Sequence, residues 1–184
     1  MSFSGHSAAV GIRVMEAGDL GAVMGIAAGL ETAPQWPRAA YEAAIDEEAL
    51  PRRVALVAEI DGLVAGFAIA SVIAPEAELE TIAVAAGEQR RGIGRALLGA
   101  LFRELETRAV GEVTLEVRAS NAAAQAFYGA RGFAEFARRA EYYADSGEAA
   151  VLMIRKVKSG LSINGPGRVA GFDGPLHYRK LGWL

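Results

Sequence analysis

The sequence of 184 residues lacks cysteine and contains only two histidines, His6 and His177. Without cysteine there is no disulfide framework, no thiolate nucleophile and no cysteine-ligated zinc. Two histidines so far apart along the chain also argue against a histidine metal cluster. No apolar run approaches the roughly 20 residues that span a bilayer, and residues 1–9 lack the features of a secretory signal. We therefore expect a cytoplasmic protein that binds neither a metal nor a membrane.

Charge is nearly balanced, with a formal net charge of −3. This balance argues against a broad nucleic-acid-binding surface. Apolar residues make up 52% of the chain and charged residues 22%, which is typical of a globular protein. We expect one folded domain over residues 11–157, an N-terminal extension over 1–10 and a glycine-rich tail of linker-like composition over 158–184.

Apolar periodicity predicts strands that alternate with helices. The predicted strands cover residues 11–16, 54–60, 63–73, 79–84, 113–117, 133–139 and 149–156. The predicted helices cover residues 19–29, with Asp19 as N-cap, then 38–46, about 93–108 and about 121–131. Asp61-Gly62 is a two-residue hairpin turn. This order indicates an α/β fold, of α+β type, with a mixed sheet covered by helices on both faces.

The run Gln89-Arg90-Arg91-Gly92-Ile93-Gly94-Arg95 lies between a predicted strand and a predicted helix. Its two glycines let the backbone approach a ligand closely, and the first N–H groups of a helix have no partner within the helix. Together with the arginines, these donors predict a phosphate-binding loop. The alternative is a glycine-rich helix start that binds no ligand.

Two common phosphate-binding loops are excluded by the residues that follow Gly94. A nucleoside-triphosphate loop needs Lys and then Ser or Thr after its last glycine, whereas Arg95 and Ala96 stand here. A dinucleotide-binding loop needs a third small residue where the chain has Leu97.

Alternation in residues 113–118 places Val113, Leu115 and Val117 on one face and the polar Glu116 on the other. Taken alone, a strand carboxylate of this kind is commonly a solvated charge or the partner of an arginine. Tyr128, on the next predicted helix, is equally compatible with a core aromatic whose hydroxyl reaches the rim.

The Gln-x-x-Gly-x-Gly pattern resembles the GNAT acyltransferase superfamily, in which this loop holds the pyrophosphate of acetyl-coenzyme A. Over about residues 79–156 the chain is most similar to the RimI branch, which acetylates the N-terminal amine of a ribosomal protein. The residues before about 73 fit only loosely, with Trp36 as the best landmark. The matching pieces are Ile82-Ala83-Val84, the loop, Leu115-Glu116-Val117-Arg118-Ala119-Ser120-Asn121, Ala126-Phe127-Tyr128, Gly132-Phe133, Arg138-Arg139 and Tyr142-Tyr143.

This resemblance implies the GNAT fold, a mostly antiparallel sheet that splays in the middle, and direct acetyl transfer in a ternary complex without a metal. It assigns Glu116 as proton acceptor and Tyr128 as proton donor. Acetyl-coenzyme A would be held by Ile82, Ala83, Val84, Arg90, Arg91, Gly92, Ile93, Gly94, Arg95 and Asn121. The acceptor would be bound by Trp36, Thr81 and the loop residues Tyr142 and Tyr143.

Three functions remain open at this point. The first is acetylation of the N-terminal α-amine of a protein or peptide, and the second is acetylation of a small-molecule amine. The third, a non-enzymatic acyl-coenzyme A sensor, is disfavoured because both Glu116 and Tyr128 are present. Glu80 and Thr81 depart from the usual pattern of the RimI branch, in which an apolar residue and Asn are common, so the acceptor preference is expected to differ.

Overall fold

The computed structural model describes residues 9–157. The expected extension over residues 1–10, apart from its last two residues, and the expected tail over 158–184 lie outside these described residues. The strands are β1 (Gly11–Val14), β2 (Arg52–Ile60), β3 (Leu63–Ile73), β4 (Glu76–Val84), β5 (Glu112–Arg118), β6 (Ala134–Tyr143) and β7 (Glu148–Lys156). The helices are α1 (Leu20–Ala28), α2 (Arg38–Ile45), α3 (Ile93–Thr107) and α4 (Ala122–Gly129).

All seven strands belong to one sheet in the order β1-β2-β3-β4-β5-β7-β6. Neighbouring strands are antiparallel except β4 and β5, which are parallel. The β2–β3 hairpin turns at Asp61 and Gly62, whose φ angles of 50° and 78° match the turn predicted there. The predicted mixed, mostly antiparallel sheet is confirmed.

Helices cover both faces of the sheet, as predicted. On one face α3 and α4 enclose the larger apolar cluster, to which α3 contributes the buried Leu97, Leu98, Leu101 and Leu105. On the other face α1 and α2 enclose a second cluster around Tyr41 and Phe67. Because Leu101 is fully buried, its truncation to alanine is expected to cost about 2–5 kcal/mol.

Two details of the prediction need correction. Asp19 is the N-cap residue of α1, as predicted, but its carboxylate makes no capping bond to that helix, because Arg13 binds it at 2.7 and 2.8 Å and its Oδ2 accepts the N–H of Glu16. The last turn before α1 is instead a short 3-10 helix over Ala17–Asp19. Tyr142 and Tyr143 do not lie in a loop, since β6 extends through both of them.

Within residues 9–157, no helix is both long enough and apolar enough to cross a membrane. The same part of the chain contains no group of three or more His, Asp or Glu residues arranged to hold a metal ion. The expected cytoplasmic location stays a prediction.

Candidate functional site

The centre of the sheet opens between β4 and β5. Their parallel ladder has three pairs among the described residues, and it ends where Glu78 lies beside Thr114. Beyond this point β4 continues only along β3, to Val84, while β5 continues only along β7, to Arg118. A gap therefore separates the second halves of the two strands.

A bulge in β4 marks the start of this gap. Ile69 of β3 pairs with Thr81 and the next residue, Ala70, pairs with Leu79, so Glu80 has no opposite residue. Side chains directly opposite each other share a face, and Ile69 lies in the α1/α2 cluster. Thr81 therefore faces α1 and α2 but is only 6% exposed, which leaves an acceptor little of its surface to touch.

After the bulge, the gap is lined by residues 82–84, which were predicted to bind acetyl-coenzyme A. Ile82 and Val84 pack against the α3/α4 cluster, whereas Ala83 belongs to the α1/α2 cluster. Their backbones pair with β3 on one side. An extended ligand in the gap could thus add to the other side of β4 as a further strand would.

The predicted phosphate loop leads from the end of β4 into α3. Gln89 ties the two together, since its side-chain nitrogen donates to the Val84 carbonyl at 3.2 Å. Arg90 and Gly92 both adopt left-handed φ angles, of 61° and 83°. Backbone turns of this kind gather successive N–H groups around an anion.

The start of α3 has no side-chain cap. The first helical hydrogen bond runs from Ala96 to Gly92, so the N–H groups of Ile93, Gly94 and Arg95 lie ahead of it. These donors and the positive end of the helix dipole favour an anion. Because the Ile93 side chain is buried, only its backbone could contact a ligand.

The arginines around this helix start differ in their contacts. Arg91 forms an ion pair with Glu88. Arg131 follows α4 by two residues; its guanidinium carbon lies 3.7 Å from the centroid of the Phe127 ring, and its Nη1 donates to the Phe127 carbonyl at 2.6 Å. Its Nε is buried without a hydrogen-bond partner, and burial together with the charge of Arg95 lowers its pKa.

Arg131 is a functional candidate that sequence reasoning missed. The Phe127 ring beneath its guanidinium also lies against the loop, because a Cβ added at Gly94 would stand 3.4 Å from that ring. Two like charges with one unsatisfied donor between helices favour a bound anion. No spacing in the sequence could have revealed this, since Arg131 meets Arg95 only when α4 packs beside α3.

Asn121 was predicted to bind the cofactor, and the structure gives it a local role. Its side-chain oxygen accepts the N–H of Ala124 at 3.0 Å and so caps α4. Its amide nitrogen is the group it could offer a ligand. The predicted role in binding stays a prediction.

Tyr128 lies on the α3/α4 side of the sheet. Its ring meets Phe127 at 5.3 Å and Phe133 at 5.6 Å, in edge-to-face contacts. Burial raises its pKa to about 12, so the hydroxyl keeps its proton at neutral pH. The ring thus packs against the core while remaining partly exposed, which agrees with one of the two interpretations that the sequence left open.

Glu116 lies on the opposite side of β5, as the alternation predicted. Arg139 of β6 donates to its carboxylate at 2.9 Å, and the Tyr142 hydroxyl is hydrogen-bonded to it as well. Burial, followed by this bond, raises the pKa of Tyr142. Glu116 and Tyr128 therefore lie on opposite faces of the sheet, and their predicted roles stay predictions.

Glu78 is the second residue that sequence reasoning missed. Burial raises its pKa to about 7, aided by the negative charges of Glu116 and Glu80 and opposed by Arg139. Glu78 and Glu116 line one small cavity together with Arg139. Its neighbour Glu80 is held by Arg53 through two hydrogen bonds of 2.7 and 3.1 Å.

The sequence did contain an indication of Glu78. Ala77 and Leu79 are buried in the α3/α4 cluster, so alternation places Glu78 on the other face of β4. Glu116 has the same relation to Leu115 and Val117 on β5. Only the pairing of β4 with β5 shows that the two carboxylates share a cavity.

The predicted acceptor residues fall into two groups. Tyr142 and Tyr143 stand edge to face at 5.2 Å, the first near Glu116 and the second beneath the Arg118 guanidinium at 3.9 Å. Trp36 lies between α1 and α2, where it packs against Tyr41 at 5.4 Å. Tyr142 thus lies beside Glu116, with Tyr143 next to it. Trp36 instead packs in the α1/α2 cluster.

A splayed sheet with an uncapped, glycine-rich helix start is the architecture of an acetyltransferase. A model of the Acetyltransferase (GNAT) family matches residues 24–133. This chain belongs to that family.

One curated protein within this family is similar to the chain in sequence over about half of its length. The [ribosomal protein bS18]-alanine N-acetyltransferase of Escherichia coli strain K12 is 50% identical over 95 residues, which are 50% of this chain and 64% of the relative. The matched segment thus spans slightly less than two thirds of that relative's length.

Solved structures extend the likeness over more of the chain. The crystal structure of the ribosomal-protein-S18-alanine N-acetyltransferase from Escherichia coli matches with a TM-score of 0.74 and 37% identity, covering 84% of this chain and 98% of that one. Ard1 from Thermoplasma volcanium matches with a TM-score of 0.73 and 30% identity, covering 82% and 99%. The predicted fold and the predicted family are therefore confirmed.

Proposed function

We propose that this protein is an acetyl-coenzyme A-dependent N-acetyltransferase that acetylates the N-terminal α-amine of a protein or peptide. The observation that carries the proposal is the gap between β4 and β5. It has backbone donors suited to an anion at one end and carboxylates at the other, and the partly buried Tyr128 lies on the α3/α4 side of the sheet. A ligand with a diphosphate at one end and an acyl group at the other suits such a gap.

The residues present fit acetyl-coenzyme A. The left-handed turn at Arg90 and Gly92 and the first N–H groups of α3 suit its diphosphate. The open side of β4 over Ile82 to Val84 suits the amide-containing pantetheine arm. When bound, the cofactor supplies a thioester carbonyl that an amine can attack.

The chemistry requires one group that takes a proton and one that gives a proton. An α-amine has a pKa of about 7.7–8.0, so at neutral pH it arrives mostly as an ammonium that cannot attack. A carboxylate at the gap takes that proton, the role that the family resemblance assigns to Glu116. The Tyr128 hydroxyl, which stays protonated, donates to the departing thiolate. Transfer is direct, and the protein forms no covalent intermediate.

The N-terminus of a protein is the favoured acceptor because the matched relative is an alanine N-acetyltransferase of a ribosomal protein. The position of Tyr142 beside Glu116 supports this choice, since aromatic side chains could form the wall of a peptide site. A cytoplasmic location is part of the same proposal, since ribosomal proteins are made there.

Thiol release from acetyl-coenzyme A tests the proposal. Peptides that differ only in their first residue, among them one beginning with alanine, are compared with free amino acids and polyamines. The proposal predicts kcat/KM values for at least one peptide that exceed those of every small amine. Faster turnover of a small amine would support the alternative acceptor class, and binding without any turnover would support a sensor.

A further inference from the structure

The turn between β6 and β7 covers residues 144–147 and directly follows Tyr142 and Tyr143. These two tyrosines form the proposed wall of the acceptor site, and the first of them is hydrogen-bonded to Glu116. Turns are among the parts of a protein that open most readily. A wall built beside a turn therefore keeps one shape only if another part of the protein holds that turn.

Arg118, the last residue of β5, contacts this turn with its side chain. Its Nη2 donates to Asp145 at 2.7 Å, and its Nη1 donates to the Ser146 hydroxyl at 2.9 Å and lies 3.5 Å from a Glu148 oxygen. Its guanidinium carbon lies 3.9 Å from the centroid of the Tyr143 ring. A planar guanidinium can donate along its edges and stack by its face at once. One side chain thus links the turn to the acceptor wall.

The backbone around Arg118 faces the opposite partner, the segment that leads into α4. The Arg118 carbonyl accepts the N–H of Asn121 at 3.0 Å and a side-chain N–H of Gln125 at 3.1 Å. The N–H of Ser120 donates to the Glu148 carboxylate, on the far side of the turn, at 2.5 Å. The end of β5 therefore joins the β6–β7 turn to the segment where Asn121 caps α4.

The ion pair in this network contributes more to geometry than to stability. The Asp145 side chain is 66% exposed, and ion pairs at such exposed positions contribute little to the free energy of unfolding. The hydrogen bond from Arg118 lowers the pKa of Asp145, so the pair stays ionised at neutral pH. What the network does fix is the position of the turn relative to β5.

We propose that Arg118 is a positioning residue of the acceptor site, which holds the β6–β7 turn so that Tyr142 and Tyr143 form one wall for the N-terminal segment of a peptide. This inference rests on the proposed function, which names the acceptor. Arg118 acts through the two tyrosines and not on the reacting atoms.

The proposal separates acceptor binding from cofactor binding. The side-chain contacts of Arg118 lie at the β6–β7 turn, whereas the backbone donors that suit a diphosphate lie at the start of α3. The bonds to Asn121 and Gln125 use the Arg118 carbonyl, so a change of side chain leaves them in place. Loss of the guanidinium should therefore weaken peptide binding and leave the affinity for acetyl-coenzyme A unchanged.

The test compares Arg118→Met and Arg118→Lys, with Arg138→Met as the matched control. Arg138 lies on β6, in the same hairpin, and donates to Glu135 at 2.7 and 2.9 Å. The control thus removes a similar ion pair that does not involve the turn. We measure kcat and KM for an accepted peptide, and the affinity for acetyl-coenzyme A by calorimetry.

Arg118→Met should raise KM for the peptide by roughly tenfold, with a smaller change in kcat, because misplacing a positioning group can cost up to about 10²-fold in rate. Arg118→Lys should recover part of this loss. Lysine keeps a positive charge opposite Asp145 but lacks the planar fork that also reaches Ser146. Arg138→Met should behave as wild type, and all three variants should bind acetyl-coenzyme A normally.

A double-mutant cycle shows whether Arg118 acts through the turn. Asp145→Asn alone should raise KM for the peptide by less than Arg118→Met, because the contact with Ser146 remains. Adding Asp145→Asn to Arg118→Met should change little more, since residues of one network do not contribute additively. Fully additive losses would overturn the proposal.

Hydrogen exchange measured by mass spectrometry reports on the turn without any turnover. The N–H groups of Ser146 and Gly147 donate to the Tyr143 carbonyl at 3.2 and 2.7 Å. Exchange in the peptide fragment that covers residues 140–149 should be faster in Arg118→Met than in wild type, and unchanged in Arg138→Met.

Three results would overturn the positioning role: a wild-type KM for the peptide in Arg118→Met, unchanged exchange in the turn, or a joint loss of kcat and cofactor affinity, which indicates general damage to the fold. Failure of the proposed function looks different, because wild type would then release no thiol with any amine. Faster exchange in Arg118→Met would still show that Arg118 holds the turn, but its role in acceptor binding would fail with that function.

Discussion

The phosphate loop and the acidic end of the gap are built in opposite ways. The loop consists of consecutive residues 89–95, and the predicted anion site there depends mainly on their backbone conformation. The acidic end brings together Glu78 of β4, Glu116 of β5 and Arg139 of β6, which are far apart along the chain. The loop is thus a local structure, whereas the acidic end exists only once the sheet has formed.

Because of this difference, we expect cofactor binding and the chemical step to depend on different residues. Backbone N–H groups at a helix start bind an anion whatever happens to distant side chains. The pKa of a carboxylate depends instead on its burial and on every charge nearby. Variants in the loop should therefore change the affinity for acetyl-coenzyme A, and variants around the gap should change turnover.

The largest expected effect belongs to Tyr128→Phe. Loss of the hydroxyl removes the proposed proton donor to the thiolate, and kcat should fall by about 10²-fold. The aromatic contacts with Phe127 and Phe133 remain, so Tm and cofactor affinity should stay near wild type. Full activity in this variant would remove the proton-donor assignment.

Gly92→Val should act on binding instead. Gly92 has a φ of 83°, and a side chain in this left-handed region costs roughly 1–2 kcal/mol. We expect KM for acetyl-coenzyme A to rise about tenfold, with kcat little changed. Gly87→Ala is the control, because an added Cβ there meets nothing within 4 Å. A drop in kcat alone would contradict the separation of binding from chemistry.

Arg131→Met should also weaken the binding of acetyl-coenzyme A, but by less than Gly92→Val. Removing the guanidinium beside Arg95 is expected to weaken acetyl-coenzyme A binding by roughly three- to tenfold, and less at 0.5 M salt because salt screens charge. Arg108→Met, at the exposed far end of α3, should leave the affinity unchanged. Calorimetry at two salt concentrations measures both variants, and equal losses would show that the effect is not local.

The smallest expected effect is one of stability. The pKa of Glu78 is raised to about 7 in the folded protein from about 4.3 in the unfolded chain. Between these values the folded state binds more protons, so the free energy of unfolding falls as pH rises. Glu78→Gln should thus be more stable than wild type at pH 8, by on the order of 1 kcal/mol after allowing for solvent screening.

This stability difference should vanish below pH 4, where wild type is protonated in both states. Denaturant unfolding at the two pH values measures it. A Glu78→Gln variant less stable than wild type at pH 8 would mean that the ionised Glu78 carboxylate is stabilised in the fold, contrary to this prediction.

Several features were predictable because they depend on neighbours in the sequence. The left-handed turn at Gly92, the apolar stripe of α3 and the exposure of Glu116 to the polar face of β5 all follow from spacing. Asp19 lies at the predicted N-cap position, but its carboxylate makes no capping bond because Arg13, on the preceding strand, binds it. The end of β6 was misjudged because bulges and a left-handed Glu141 interrupt its alternation.

By itself, the sequence determined the order of strands and helices and the glycine-rich loop before α3, because both arise from backbone preferences and apolar periods within a few residues. Only the tertiary structure decided which carboxylate is ion-paired and which is partly buried beside like charges. It also decided that Arg131 meets Arg95. Electrostatic environments depend on distances across the sheet and between helices, and these distances are fixed by packing.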